Sequence, residues 1–330
     1  MIGRRPLLAL LAGAIVATVQ PTTDAAEDLG ALRVGVLAFG TVNWELDVIK
    51  HHGLDKREGF TLEVQPFGGN DAADVALLGG AVDAIVEDWL WVSRQRAEGV
   101  PLTWIPYSSS VGALMVRGDS DIQSLADLEG KRVGIAGGPL DKGWLLIRTV
   151  AADQSGIDLA SAAEPVYAAP PLLSENLRSG GVDAVLTYWH FAARLEADGH
   201  RRLFTVADAQ EALGVPGDTP QLGYIFEEAW ADEHSELVLA FARASRAAKE
   251  ILDTSDGEWE RLRPLTKAEN DAVLETLQRR YREGIVRSWG EKERVGAAEL
   301  YARVAQLGGP EVVGRSDTLV EGTFWPGLSY

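Results

Sequence analysis

The sequence predicts an α/β protein of two similar lobes, joined by a hinge of two crossover segments and completed by a helical C-terminal region. Three observations lead there. Apolar runs of strand length alternate with helical stretches from residue 32 to residue 227, the pattern of parallel sheets covered by helices. Two short patterns occur twice, about a hundred residues apart: Val34, Gly35 and Val36 return as Val133, Gly134 and Ile135, and Val82, Asp83 and Ala84 return as Val182, Asp183 and Ala184, preceded by Gly79-Gly80 and Gly180-Gly181. After Glu227 the apolar spacing becomes almost purely helical.

The elements follow in order. Residues 32–38 read as a buried strand, and Asn43 caps a helix that runs to His52 and is closed by Gly53. Residues 61–67 alternate as a second strand; Asn70 or Asp71 caps the next helix, which Gly79-Gly80 stops. A short strand over 84–86, a helix over 89–98 and a strand over 102–107 complete the first unit. Residues 111–116 form a strand that crosses to the second unit, which repeats the alternation: a short helix over 124–129, then strands over 132–136, 165–168, 183–187 and 202–206 with helices over 143–155, 172–178 and 189–198. Residues 214–220 are a loop by composition. Residues 222–226 return as a strand, followed by helices over 237–252, 258–263, 267–284 and 292–307, with Pro264 separating two of them. Lobe one is therefore placed at 28–112 plus 222–330 and lobe two at 113–221.

Composition narrows the function. The chain has 330 residues, a formal charge of −18 and a pI near 4.7; it lacks the basic footprint of a nucleic-acid binder. Arg4 and Arg5, the apolar run over 7–19 and the small residues Thr23 and Ala25 predict an export signal over 1–26. There is no cysteine, which removes disulfides, thiolate catalysis and a lipid anchor on a cysteine. Five scattered histidines give no metal-ligand spacing. A monomer free in the periplasm, with no metal, is expected.

In open α/β sheets ligands bind beyond the carboxyl ends of the strands. That rule selects Phe39, Thr41 and Trp44 after the first strand, Gly69 and Asn70 after the second, Asp88 and Trp89 after the third, and Ser109 after the fourth. In lobe two it selects Gly138, Lys142 and Trp144, then Tyr188, Trp189 and His190. Trp44, Trp89, Trp144 and Trp189 all fall at strand-to-helix junctions, so four indole rings at the cleft rim, and hence a flat ligand, are expected; Trp91 fits a core or a cleft position. Gly137-Gly138 is either a tight turn or a cradle of backbone N–H groups for an anion. Lys142 is either a solvated surface residue or an amine desolvated between aromatic walls, with a lowered pKa, able to add to a ligand carbonyl. Tyr188 and His190 are candidate donors to an anion. Glu87 and Asp88 form no evident acid/base pair, because Asp88 fits a helix cap, and Asp83 and Asp183 read as structural.

The run Leu54, Asp55, Lys56, Arg57, Glu58, Gly59 and Phe60, the repeated Gly-Gly-x-Val-Asp-Ala units and the run Leu128, Glu129, Gly130, Lys131, Arg132, Val133 and Gly134 resemble the periplasmic solute-binding proteins of sulfonate, taurine, nitrate and thiamine-precursor importers, the NMT1/THI5-like superfamily. The resemblance implies a type II periplasmic binding protein that closes on a small molecule and delivers it to an ABC importer permease in the inner membrane. The segment 136–144 with Thr187, Tyr188, Trp189 and His190 departs from the sulfonate binders. It is similar to a subgroup associated with quinoprotein alcohol oxidation in methylotrophs, which implies pyrroloquinoline quinone as the bound ligand rather than as a catalytic cofactor. Its flat ring, three carboxylates and electrophilic carbonyl would be answered by Trp walls, N–H cradles and a lysine. The alternatives are an aliphatic sulfonate or other small organic anion, and the superfamily's pyrimidine-synthase enzymes, whose cysteine-rich segment this chain lacks.

Overall fold

The computed structural model describes residues 28–330; the export signal expected over 1–26 lies outside the described residues. The first half of the chain gives β1 (Ala31–Leu37), α1 (Val42–His51), α2 (Leu54–Arg57), β2 (Thr61–Phe67), α3 (Asn70–Leu78), β3 (Ala84–Asp88), α4 (Trp89–Ala97) and β4 (Leu102–Ser108). The chain then crosses to β5 (Gly112–Val116), β6 (Arg132–Ile135), α5 (Lys142–Ser155), α6 (Leu159–Ala162), β7 (Glu164–Tyr167), α7 (Pro170–Ser179), β8 (Ala184–Tyr188), α8 (Trp189–Ala197), β9 (Arg201–Thr205) and α9 (Val206–Ala212). It returns through β10 (Leu222–Glu227) and ends in α10 (Glu228–Glu233), α11 (Ser235–Thr254), α12 (Asp256–Thr266), α13 (Asp271–Glu283), α14 (Glu291–Gly308) and α15 (Pro310–Val313).

Two five-stranded sheets result, ordered β2-β1-β3-β10-β4 and β7-β6-β8-β5-β9. The orders match position by position. In each sheet one antiparallel strand, β10 or β5, lies between the third and last strands. That strand arrives from the other lobe, so the chain crosses between lobes at 109–111 and at 213–221.

The repeated residues explain the shared geometry. Asp83 accepts the Arg33 backbone N–H at 2.8 Å, and Asp183 accepts that of Arg132 at 2.8 Å. Each aspartate N–H is donated back to the same arginine carbonyl, again at 2.8 Å. Both aspartates thus clip the start of the third strand to the first. Gly35 and Gly134 sit where a Cβ would come within 2.9 Å of Phe67 and 2.8 Å of Leu173, so the repeated glycine is a packing requirement.

Local details correct several expectations. Asn43 does not cap α1; its side-chain amide donates to the carbonyls of Leu37 and Gly40, both at 2.8 Å, and pins the β1–α1 turn. Gly69 precedes α3, with Asn70 its first helical residue. Pro264 lies inside α12, and the break falls at Lys267, in the left-handed region at φ 54°. The helix expected over 124–129 is a single 3₁₀ turn, Ala126–Leu128. Thr205 and Asp208 form a capping box that starts α9, an element the apolar period did not reveal.

The C-terminal helices do not serve one lobe alone. α11 packs on α1 and α15 on α4, but α13 packs on α8 and α14 on α5 in the second lobe. Polar contacts fasten the same face. Glu196 on α8 accepts from Arg279 at 2.8 Å and from Arg280 at 2.6 Å, both on α13, and from Arg202 at 2.8 Å. Arg194 donates to the Thr266 carbonyl at 2.7 Å, which satisfies the end of α12. Among the described residues no helix is long and apolar enough to cross a membrane.

Candidate functional site

A cleft of about 600 Å³ lies between the two sheets, within the range typical of small-molecule sites. Thr41, Asn70, Glu87, Asp88, Trp91, Arg94 and Tyr107 line it from lobe one; Gly137, Leu140, Asp141, Lys142, Tyr188, Trp189 and His190 line it from lobe two. Glu311 and Val312 close one side from the C-terminal region. The strand ends that the rule selects in both sheets therefore open onto this cleft.

Of the expected site residues, Thr41, Asn70, Asp88, Lys142, Tyr188, Trp189 and His190 meet in this cleft. Phe39, Gly69 and Gly138 lie outside its lining, with Phe39 on the surface at 67% exposure. Ser109 lines a separate cavity of about 330 Å³ beside the first crossover.

The four-tryptophan rim is corrected most. Trp89 and Trp144 are fully buried and Trp44 nearly so. Trp89 packs on Tyr301 and Phe324 and donates its indole N–H to the Pro220 carbonyl at 2.8 Å. Trp44 meets Trp189 edge-on, with ring centroids 5.7 Å apart, and meets Trp259 at the same distance. A side chain in the first turn of a helix that follows a strand can turn back beneath the helix as readily as out into the cleft. Three of the four turn back, and only Trp189 reaches the ligand space. The second cleft indole is Trp91, and Arg94 lies three residues on, on the same face of α4. That spacing is the signal from which Arg94 was legible.

Lys142, the first residue of α5, points across the cleft. Its Nζ lies 2.5 Å from Asp88 Oδ2, while Asp88 Oδ1 accepts the Trp91 N–H at 2.9 Å and caps α4. Burial pushes the lysine pKa down, but the charge and hydrogen bond of Asp88, with Glu87 and Asp141 nearby, outweigh burial and leave it raised. Lys142 is therefore an ammonium in an ion pair, and the expectation of a lowered pKa is overturned by these carboxylates.

The anion cradle at Gly137-Gly138 is also corrected. Asp141 caps α5 and accepts the Trp144 N–H at 3.0 Å, so a side chain already occupies the helix start. Both glycines adopt φ of +88°, and a Cβ on Gly137 would fall 2.7 Å from Asp141 Oδ2; they serve the turn.

The remaining polar groups are tuned by burial. Glu87 accepts from the Asn70 amide at 2.7 Å. Its carboxyl is pushed up to about 8, by burial first and then by Asp88, which makes it a proton-bearing donor at neutral pH. His190 is pushed down to about 3 by burial and by Arg194, so it faces the cleft uncharged. Among the described residues Arg94 has no carboxylate partner. The cleft thus offers an unpaired guanidinium, an ammonium held by one aspartate, a neutral acid and aromatic walls, with Asp141 and Glu311 also in its lining. That set suits a planar organic anion and contains no nucleophile–base pair.

The NMT1/THI5 like family model matches residues 25–254 of this chain. Solved structures with the same fold include the alkanesulfonate-binding protein SsuA of Xanthomonas axonopodis pv. citri bound to MOPS, which is 21% identical, with a TM-score of 0.68 over 91% of this chain and 99% of that one. The periplasmic aliphatic sulphonate binding protein SsuA of Escherichia coli is 18% identical, with a TM-score of 0.72 over 89% and 92%. A search of curated protein sequences finds no match. The fold is that of a type II periplasmic binding protein.

Proposed function

Because the chain belongs to the NMT1/THI5-like family, we propose that it is the periplasmic solute-binding component of an ABC importer. Its cleft takes a flat, multiply carboxylated aromatic molecule, with pyrroloquinoline quinone the ligand of choice. One observation carries this reading: Arg94 of lobe one and the Asp88–Lys142 pair that joins the two lobes line one space walled by Trp91, Tyr107, Tyr188 and Trp189. Aromatic walls favour a planar π system, and guanidinium and ammonium groups favour carboxylates. A ligand that touches both lobes favours the closed state.

The second reading is an aliphatic sulfonate, supported by the fold neighbours that bind such ligands. Calorimetric titration with pyrroloquinoline quinone, ethanesulfonate and MOPS separates the two. The quinone should bind and quench the emission of Trp91 and Trp189; binding of the sulfonates alone would replace the first reading by the second.

A further inference from the structure

One side of the cleft is closed by a short turn that belongs to neither copy of the repeat. α15 lies between Gly309, at φ 58° and ψ −160°, and Gly314, at φ 73° and ψ −135°. Such backbone is open almost only to glycine, so the turn is swung between two glycine joints. It places Glu311 and Val312 in the cleft lining.

Contacts anchor this strap on both lobes. On its entry side α14 packs on α5 of lobe two, and a Cβ on Gly308 would fall 2.3 Å from Val312 and 3.0 Å from Leu145 on α5. On its exit side the buried Tyr301 hydroxyl lies 3.3 Å from the Val313 carbonyl oxygen and 3.0 Å from that of Ser316, and donates to the pair. Arg315 pairs with Glu98, at the end of α4, at 3.0 Å. Between these anchors the strap meets Arg94. A Cβ on Gly314 would come within 3.0 Å of Arg94 Cγ and 3.7 Å of both Cδ and Nε. The arginine stem therefore lies along bare backbone, in room that a side chain at 314 would fill.

We propose that the strap over 309–314 holds Arg94 in place for the ligand, with Gly314 the positioning residue along which the arginine side chain runs into the cleft. The inference rests on the cleft being the ligand site and deepens that reading. Ordering a free arginine side chain at the moment of binding costs affinity. A shelf that holds it beforehand removes that cost and aims the planar guanidinium at a carboxylate. A ligand gains from this only where one of its carboxylates reaches the α15 side of the cleft.

Two measurements test this. The first needs no ligand: the NMR order parameter of the Arg94 Nε–H in the isotope-labelled wild type, assigned by its absence in Arg94→Gln. A value above about 0.6 is expected; a lower one means that the side chain swings free of the strap and overturns the proposal. The second is calorimetry with pyrroloquinoline quinone on wild type, Gly314→Ala, Arg94→Gln and the double variant. Gly314→Ala should weaken binding about tenfold when Arg94 is present and less than about twofold when it is absent. Equal weakening in both backgrounds is a general disturbance of the cleft and overturns the proposal, as does no weakening in either. If Gly314→Ala does not fold, the order parameter decides. If the quinone does not bind wild type, the ligand assignment fails, and the order parameter still decides whether the strap holds Arg94.

Discussion

Asp88 and Lys142 are bonded to each other across the cleft at 2.5 Å, and each sits at the start of a helix from a different lobe. An anionic ligand that engages Lys142 competes with Asp88 for the same ammonium. Asp88→Asn keeps the cap of α4, since asparagine caps as well as aspartate, and removes the competing charge. It should tighten binding of an anionic ligand by about tenfold, while Lys142→Gln should weaken it by at least as much. Calorimetry on both variants checks the opposite signs. Small-angle scattering of unliganded Lys142→Gln should show a larger radius of gyration than wild type, because a cross-lobe contact is gone.

Arg94 faces the cleft from α4 without a carboxylate partner among the described residues. Removing it leaves no buried charge stranded, so Arg94→Gln should shift the melting temperature little. Loss of a charge-assisted hydrogen bond to a ligand carboxylate costs about 1.5–3 kcal/mol. The expected outcome is a dissociation constant raised by roughly ten- to a hundredfold in a protein as stable as wild type, measured by calorimetry and thermal melting.

Glu87 gives the cleft a pH dependence. Its carboxyl is raised to about 8 from an ordinary 4.5, by burial and then by Asp88. A raised folded-state pKa contributes stability that is complete below pH 4.5 and is lost as pH rises through 8. The neutral form can also donate to a ligand oxygen, so affinity for an anion should fall over the same rise. Titration at pH 6 and pH 9 should show the drop in wild type, and Glu87→Gln, which stays neutral, should remove it.

The duplicated segments made the fold legible because they encode backbone demands. The Arg33–Asp83 and Arg132–Asp183 clips and the glycines at 35 and 134 are required wherever this sheet is built. The cleft was legible as far as the strand-end rule reaches, which brought Thr41, Asp88, Lys142, Tyr188 and Trp189 together. Side-chain direction was not legible. Trp89 and Trp189 occupy the same repeat position, yet the first lies beneath Tyr301 and Phe324, supplied by C-terminal segments more than two hundred residues later. Lys142 was misjudged for a related reason: its raised pKa comes from Asp88, a residue of the other lobe.

Those late helices also set the acid limit of the fold. Glu196 on α8 is lowered to about 2; burial pushes it up, but hydrogen bonds from Arg280, Arg202 and Arg279 outweigh burial. Arg279 and Arg280 belong to α13, so the carboxylate ties the second lobe to the C-terminal region. A lowered folded-state pKa contributes stability that is present above the ordinary value of 4.5 and is lost as pH falls through 2. Glu196→Gln should therefore be destabilised at pH 7 and converge on wild type near pH 2, a comparison that denaturant melts across the acid range read directly. A constant gap between the two proteins from pH 7 to pH 2 would mean that the three arginines hold α8 to α13 without help from this charge.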